Sequence, residues 1–370
     1  MHITDPTSRR RFLRESTIVA GGAIAALSAC SSSAPSSSAA AARARQAFDA
    51  SVTTTSGIQR ELVRFATLAP SSHNTQCWRF ELAPNRISIL PDLARRTPAV
   101  DPDDHHLFVS LGCAAENLVI AAQAHGLKSE VSFELTDAVR VRFTPAKPID
   151  SPLYRAITSR QCTRAEYDGS AVRGDHLRLL EAAAASTDVR LLLLTARADL
   201  ERVLSFVVAG NTAQMHDARF MAELTQWIRF SDAEAVATGD GLFSRASGNA
   251  SLPRWLAKPL LPLVFTTKNE NDKYAKFIRS SAGIAVFVSA SSDKLHWVAA
   301  GRSYERFVLA ATALGIRTAM INQPVEIAAL RPQFAADLGL GTLRPDLVVR
   351  FGCGPEMPRS LRRAVQAVIA

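Results

Sequence analysis

Apolar positions recur at helical spacing from Ile58 to Leu68, and the pattern breaks at Pro70, which restricts the residue before it and stops the helix. From Trp78 to Leu82 the pattern switches to alternation, the period of a half-buried strand. Two longer runs carry small residues along a helical face. One is Leu111 to Ala122, closing at Gly126, and the other is Ala300 to Ala311, closing at Gly315; glycine suits the position just past a helix end. A constant offset of 189 residues relates Gly112 to Gly301, Glu116 to Glu305, Ala121 to Ala310 and Gly126 to Gly315. Strand-like segments follow in both places, at Ser129 to Leu135, Val139 to Phe143, and Arg317 to Ile321. Each half therefore mixes helices with short strands, and the chain is expected to be α+β, one domain written twice.

Two polar stretches carry candidate chemistry. Between the first helix and strand lies Ala69 to Trp78, where Ser71, Ser72 and Asn74 are turn formers that hold hydroxyl and amide groups out from the backbone. Such a loop suits a planar, uncharged heteroaromatic ring. It suits a metal poorly, since only His73 and Cys77 could ligate. The second stretch runs from Pro152 to Arg164 and sets Arg160 and Arg164 around Gln161 and Cys162; two guanidiniums so placed can hold a phosphate dianion. On the bare residues, a cap-and-turn cluster and a solvated helix end account for the two stretches as well. Asp103, Asp104, His105 and His106 read as a helix N-terminus, because adjacent side chains rarely converge on a metal.

The 370 residues are 47% hydrophobic and 21% charged, which describes a globular protein of one large or two ordinary domains. The formal net charge is +9, and no basic helix interleaved with aromatics argues for a nucleic-acid partner. Residues 1–30 read as an address: Ser8 to Arg14 resembles a twin-arginine export signal, the apolar run Ile18 to Leu27 is too short to span a bilayer, and Leu27-Ser28-Ala29-Cys30 resembles a lipoprotein processing box with Cys30 as the acylated residue. The expected location is extracytoplasmic, on a membrane anchored through Cys30. Residues 31–56, Ser/Ala/Pro-rich at first, read as a tether with too little apolar surface to pack. The remaining cysteines, Cys77, Cys113, Cys162 and Cys353, lack metal spacing and are expected to be buried thiols, with a disulfide left open.

The loop Pro70-Ser71-Ser72-His73-Asn74-Thr75-Gln76-Cys77-Trp78 resembles the flavin-contacting loop of the nitroreductase superfamily, with Cys77 in place of a proline, close to any bound flavin. The resemblance implies FMN as cofactor and an acceptor of nitro, quinone or similar type. It implies flavin contacts at Ser71, Ser72, Asn74 and Gln76, and a phosphate grip at Arg160, Gln161, Cys162 and Arg164, where Cys162 replaces the family's serine. Asn322 and Gln323 fall where the family runs main chain along the flavin ring, and Arg362 and Arg363, with Arg359 nearby, fall where a basic pair completes the phosphate site. The first half (57–150) has the loop without the arginine opening; the second (151–370) has the opening, with Glu181 to Thr187 where the loop would stand. This is similar to the fused, double-domain branch of the superfamily: an intramolecular pseudo-dimer, monomeric, with one complete flavin site and a cover insert at about 211–274. A second possibility is a flavin-sequestering protein without turnover.

Overall fold

The structure, a computed structural model, describes residues 36–370; the export motif and the Cys30 lipidation site lie outside the described residues. The segment from Ser37 onward corrects the tether expectation. Ser37–Ala44 forms helix α1, whose Ala41 is buried against Ala235, Phe243, Ala246 and Leu361. Alanine is the best helix former, and its small side chain allows that close approach where no long apolar residue is present. Phe48 stacks on His125 with ring centroids 3.6 Å apart, so the link to the first half is held as well.

Helix α2 (Thr55–Ala66) starts where Thr54 accepts a hydrogen bond from the Gly57 N–H, and it buries Leu62, Val63, Phe65 and Ala66. Strands β1 (Trp78–Ala83) and β2 (Arg86–Pro91) form a hairpin over Pro84 and Asn85. Helix α3 (His105–Ala124) follows, then β3 (Leu127–Phe133) and β4 (Val139–Pro145), closing an antiparallel sheet in the order β1-β2-β4-β3. Helix α3 is long and apolar enough to cross a membrane, yet the protein itself encloses it.

The second half opens with α4 (Pro152–Ile157) and α5 (Gly174–Ala184), which leads into β5 (Val189–Leu194). A long excursion follows: α6 (Arg197–His216), α7 (Ala218–Trp227), β6 (Ile228–Arg229), α8 (Asp232–Thr238), β7 (Leu242–Phe243), α9 (Arg254–Val264) and α10 (Thr267–Arg279). The chain then returns through β8 (Gly283–Ser289), α11 (Lys294–Ala313), β9 (Arg317–Met320), α12 (Gln323–Glu326), α13 (Arg331–Asp337) and β10 (Pro345–Gly352). Its sheet, again antiparallel, has the order β5-β8-β10-β9. Strand for strand this is the order of the first sheet, with the long helix in the same place between the second and third strands. The α+β domain occurs twice. The insert falls where the first half has a two-residue hairpin turn, so it spans 195–282 rather than 211–274.

The repeated helices cross at their repeated glycines. A Cβ on Gly112 would lie 2.1 Å from the Val298 carbonyl oxygen, and one on Gly301 would lie 2.0 Å from that of Val109. No side chain fits at either point. Cys113 Sγ donates to the Gly301 carbonyl at 3.2 Å across the same contact. Around this crossing the apolar faces of both sheets merge into one core, from Leu62 and Phe80 in the first half to Phe287, Phe307 and Phe351 in the second.

Candidate functional site

The loop after α2 is held in a strained conformation. His73, Asn74 and Gln76 have φ of 47°, 53° and 54°, a left-handed region that non-glycine residues seldom occupy; each such residue costs roughly 1–3 kcal/mol unless its surroundings impose it. The second half does the imposing. Asn74 Nδ2 donates to the carbonyls of Gly241 (3.0 Å) and Leu361 (3.3 Å), and its Oδ1 accepts from Arg362 Nη1 (3.0 Å). Gln76 Nε2 donates to the Gly239 carbonyl (2.8 Å), while its Oε1 accepts from the Arg363 N–H (2.9 Å). The Gly239-Asp240-Gly241 turn is therefore a latch. Asp240 pairs with Arg95 and Arg229, and Arg95 Nε also donates to the Thr75 carbonyl (2.6 Å). Both glycines need their left-handed backbone and their lack of a side chain: a Cβ would meet the Arg362 carbonyl at 2.6 Å or that of Trp227 at 2.4 Å.

Ser71, Ser72, His73 and Asn74 open on a cavity of about 630 Å³, within the usual size of small-molecule sites. Arg160, Gln161, Cys162 and Arg164 line the same cavity from the second half, as do Asn322, Gln323 and Arg362. The insert supplies an apolar wall that includes Phe220, Leu224, Phe230 and Leu261. Ten of the twelve binding residues expected from sequence thus meet at one place. Gln76 and Arg363 do not line it: both are spent on the latch, Gln76 fully buried. Cys77 also departs from expectation. Its thiol turns into the core, where burial pushes it up to about 12, and Cys113 and Cys162 are the cysteines at the cavity. Cys77, Cys113, Cys162 and Cys353 are all free thiols.

One of the expected ligands proves to be a strut. Arg362 makes five hydrogen bonds, to the carbonyls of Thr67, Leu68, Ala69 and Leu361 and to Asn74 Oδ1, which occupies its whole set of N–H donors. It neutralises the carbonyl end of α2 and holds the strained loop. Asn322 Oδ1 accepts from the Val348 N–H (2.8 Å) and fixes the turn after β9.

Other donors are left free. Arg160 is buried; its Nη2 donates to the Leu68 carbonyl (2.7 Å), but its Nε has no hydrogen bond and stands 3.5 Å from Glu305 Oε1, an ion pair without hydrogen-bond geometry. Gln161 Oε1 accepts from the Met357 N–H (2.7 Å), leaving a buried Nε2 unpartnered. Arg45 brings a buried, unpartnered Nε to the cavity wall, and burial together with repulsion from Arg359 and Arg160 holds this guanidinium down at about 9. Burial and the same cations, Arg45 and Arg160, hold Arg362 well below the ordinary arginine range. A group of mutually repelling cations, Arg160 buried and Arg45 and Arg362 half-buried, in which Arg160 and Arg45 each keep a free Nε, is the chemistry of an anion site.

Sequence reasoning missed Arg45, hidden in a low-complexity segment, and gave His73 only a weak metal role. His73 is half-buried at the cavity, and desolvation followed by the Arg164 charge holds it down at about 4, so it faces the cavity as a neutral imidazole. Glu326, half-buried on α12, also reaches the wall, its carboxyl raised by desolvation and hydrogen-bonded by Gln214 Nε2 at 2.5 Å. At the start of α3, Asp101, His105 and His106 do converge, with ligand atoms within 4.8 Å of one another. Each is already engaged. Asp101 accepts from the N–H groups of His106 and Leu107, and His105 Nε2 meets Asp346 Oδ1 at 2.8 Å. They serve as a helix cap and a tie to β10.

No family model matches the chain. A Mycobacterium tuberculosis H37Rv protein named "Putative NAD(P)H nitroreductase" is 27% identical over 325 residues, which span 84% of this chain and 90% of that protein. The similarity supports the nitroreductase superfamily. A second M. tuberculosis protein of the same name, acg, is 24% identical over 346 residues, covering 86% of this chain and 97% of its own. Among solved structures, a nitroreductase with bound FMN from Desulfitobacterium hafniense aligns over 58% of this chain and 96% of its own, at 12% identity and a TM-score of 0.39. An FMN-dependent nitroreductase from Mycobacterium smegmatis in complex with NADPH aligns over 59% of this chain and 91% of its own, at 13% identity and a TM-score of 0.36.

Proposed function

We propose that the cavity between the two halves binds FMN and that the protein is a nitroreductase-like oxidoreductase acting on a nitro, quinone or similar small acceptor. The observation that carries this reading is the meeting, in one cavity, of a neutral polar loop from the first half, Arg160 and Gln161 with free donors from the second, and Arg45 with a free Nε from the segment before the first half. The cavity's chemistry fits the cofactor's two ends. Arg160, Arg45 and Gln161 hold the phosphate, whose negative charge relieves the repulsion among the arginines. Ser71, Ser72 and neutral His73 face the uncharged ring, and the apolar insert excludes water. FMN, when bound, supplies hydride or electron transfer, while the protein supplies position and electrostatics.

The test uses two ligands. Arg160→Ala removes a charge-assisted hydrogen bond worth about 1.5–3 kcal/mol, so FMN affinity should fall by roughly one to two decades, with a weaker salt dependence than in wild type. Riboflavin, which lacks the phosphate, should bind wild type and variant alike. Equal loss for both ligands would place the phosphate elsewhere.

A flavin store is the second reading, favoured by the long insert that walls the cavity. Reduction of the bound flavin by NADPH, followed by oxidation with a nitroaromatic or quinone, separates turnover from storage. We also propose twin-arginine export and lipid attachment at Cys30; mass spectrometry of the membrane fraction should find a lipid-modified Cys30, and an unmodified N-terminus would overturn this.

A further inference from the structure

Helix α9 is apolar on both faces. Ala257 and Leu261 turn inward and line the cavity. The opposite arc, which should be polar on a helix facing water, carries Trp255 (76% exposed), Leu256 (36%), Pro259, Pro262 and Leu263 (72%). Leu260 and Val264 are also exposed, so half of the ten exposed large hydrophobic residues in the described chain lie within these ten positions. Pro259 and Pro262 remove the N–H groups that would have met the carbonyls of Trp255 and Lys258, which leaves part of the helix backbone for outside donors.

The charges around α9 are one-sided. From Gly241 to Asn269 the chain has no Asp or Glu, but has Arg245, Arg254, Lys258 and Lys268. Acids of neighbouring elements answer three of these: Asp232 pairs with Arg245, Glu234 with Arg254, and Asp272 with Lys268. Lys258, on the exposed arc, has no ion pair among the described residues. A short helix with tryptophan and leucine outward and an unanswered lysine among them matches a helix lying in the headgroup region of a bilayer. A protein of net charge +9 brings it to an anionic surface.

We infer that α9 is an interfacial helix that docks the protein, at the apolar wall of its cavity, onto an anionic lipid surface. Trp255 seats at headgroup level with Leu256 and Leu263 in the acyl boundary. Because Ala257 and Leu261 of the same helix line the cavity, docking sets that wall one helix away from the lipid. The inference does not depend on what the cavity holds.

Trp255 also provides the readout, since Trp78, Trp227 and Trp297 are buried. Full-length protein is mixed with phosphatidylglycerol vesicles containing brominated acyl chains. Emission should shift to the blue and be quenched, and Trp255→Phe should abolish both changes. The double variant Leu256→Glu/Leu263→Glu, at positions that do not line the cavity, should keep its circular dichroism and melting temperature. Its quenching should be lost and its partitioning lowered by roughly tenfold or more. Because the signal comes from α9, attachment through the N-terminus alone does not produce it. Any of four results would overturn the inference: no quenching; quenching unchanged in the double variant; a blue shift that grows with protein concentration in the absence of vesicles, which assigns the face to a second copy; or a blue shift without vesicles that disappears when Ile18–Leu27 is replaced by polar residues, which assigns it to that run.

Discussion

The residues that matter most at the cavity do so through what they leave unpaired. Arg362 and Arg160 look equivalent in sequence, yet Arg362 spends its whole set of donors on carbonyls and Asn74, while Arg160 keeps Nε free beside Glu305. Glu305 itself is fully buried and its carboxylate oxygens have no hydrogen bond. Desolvation raises its carboxyl from 4.5 to about 7, against the pull of Arg160. A carboxyl raised in the folded state contributes stability that is complete below its unfolded value and is lost as pH rises through its folded value. Ligand-free wild type should therefore lose stability between about pH 4.5 and 7 relative to Glu305→Gln, which stays neutral throughout. Melting temperatures of the two proteins across that range provide the measurement. Parallel curves would show that Glu305 is ionised at all these pH values.

At the scale of elements, the crossing of α3 and α11 fixes the molecule's internal symmetry. Its legibility came from a simple pattern: a glycine recurring at a fixed offset inside an otherwise apolar helix, where glycine costs about 1 kcal/mol relative to alanine and so needs a packing reason. The reason is a carbonyl oxygen 2.0–2.1 Å from where a Cβ would stand. Gly301→Leu should force the two helices apart and destabilise the protein by at least about 3 kcal/mol, beyond the usual range for an overpacked core. Urea unfolding checks this; a midpoint within error of wild type would mean the helices can separate freely. Helix α1 teaches the opposite lesson. Its Ser/Ala composition carries no apolar stripe, and only its contact with Ala235, Phe243, Ala246 and Leu361 turns it into structure.

At the scale of the whole molecule, two sheets of identical strand order share one core but not one function. The first half has an eleven-residue link, 67–77, between helix α2 and strand β1; the corresponding link in the second half, between α5 and β5, is only 185–188. Four residues cannot reproduce the strained loop, so the symmetry-related site lacks its polar wall. The protein should carry one flavin per chain and remain monomeric, because duplication already supplies the partner half. Absorbance of flavin released on denaturation, set against mass from light scattering, tests both; two flavins per chain would contradict the loss of the second site.

The sequence alone determined the α+β class, the duplication, the neutral loop and the arginine opening, because these rest on local periodicity, turn chemistry and self-similarity. Only the tertiary structure decided which side chains face the cavity. The loop's conformation depends on Gly239, Gly241, Leu361 and Arg362, residues 163 to 288 positions away from their partners, Gln76 and Asn74. Gln76 and Arg363 passed from ligands to latch, Arg362 from ligand to strut, and Arg45 from tether to cavity wall for one physical reason. A buried polar atom must find a partner, and which atoms find one inside the protein depends on neighbours that the local sequence does not contain.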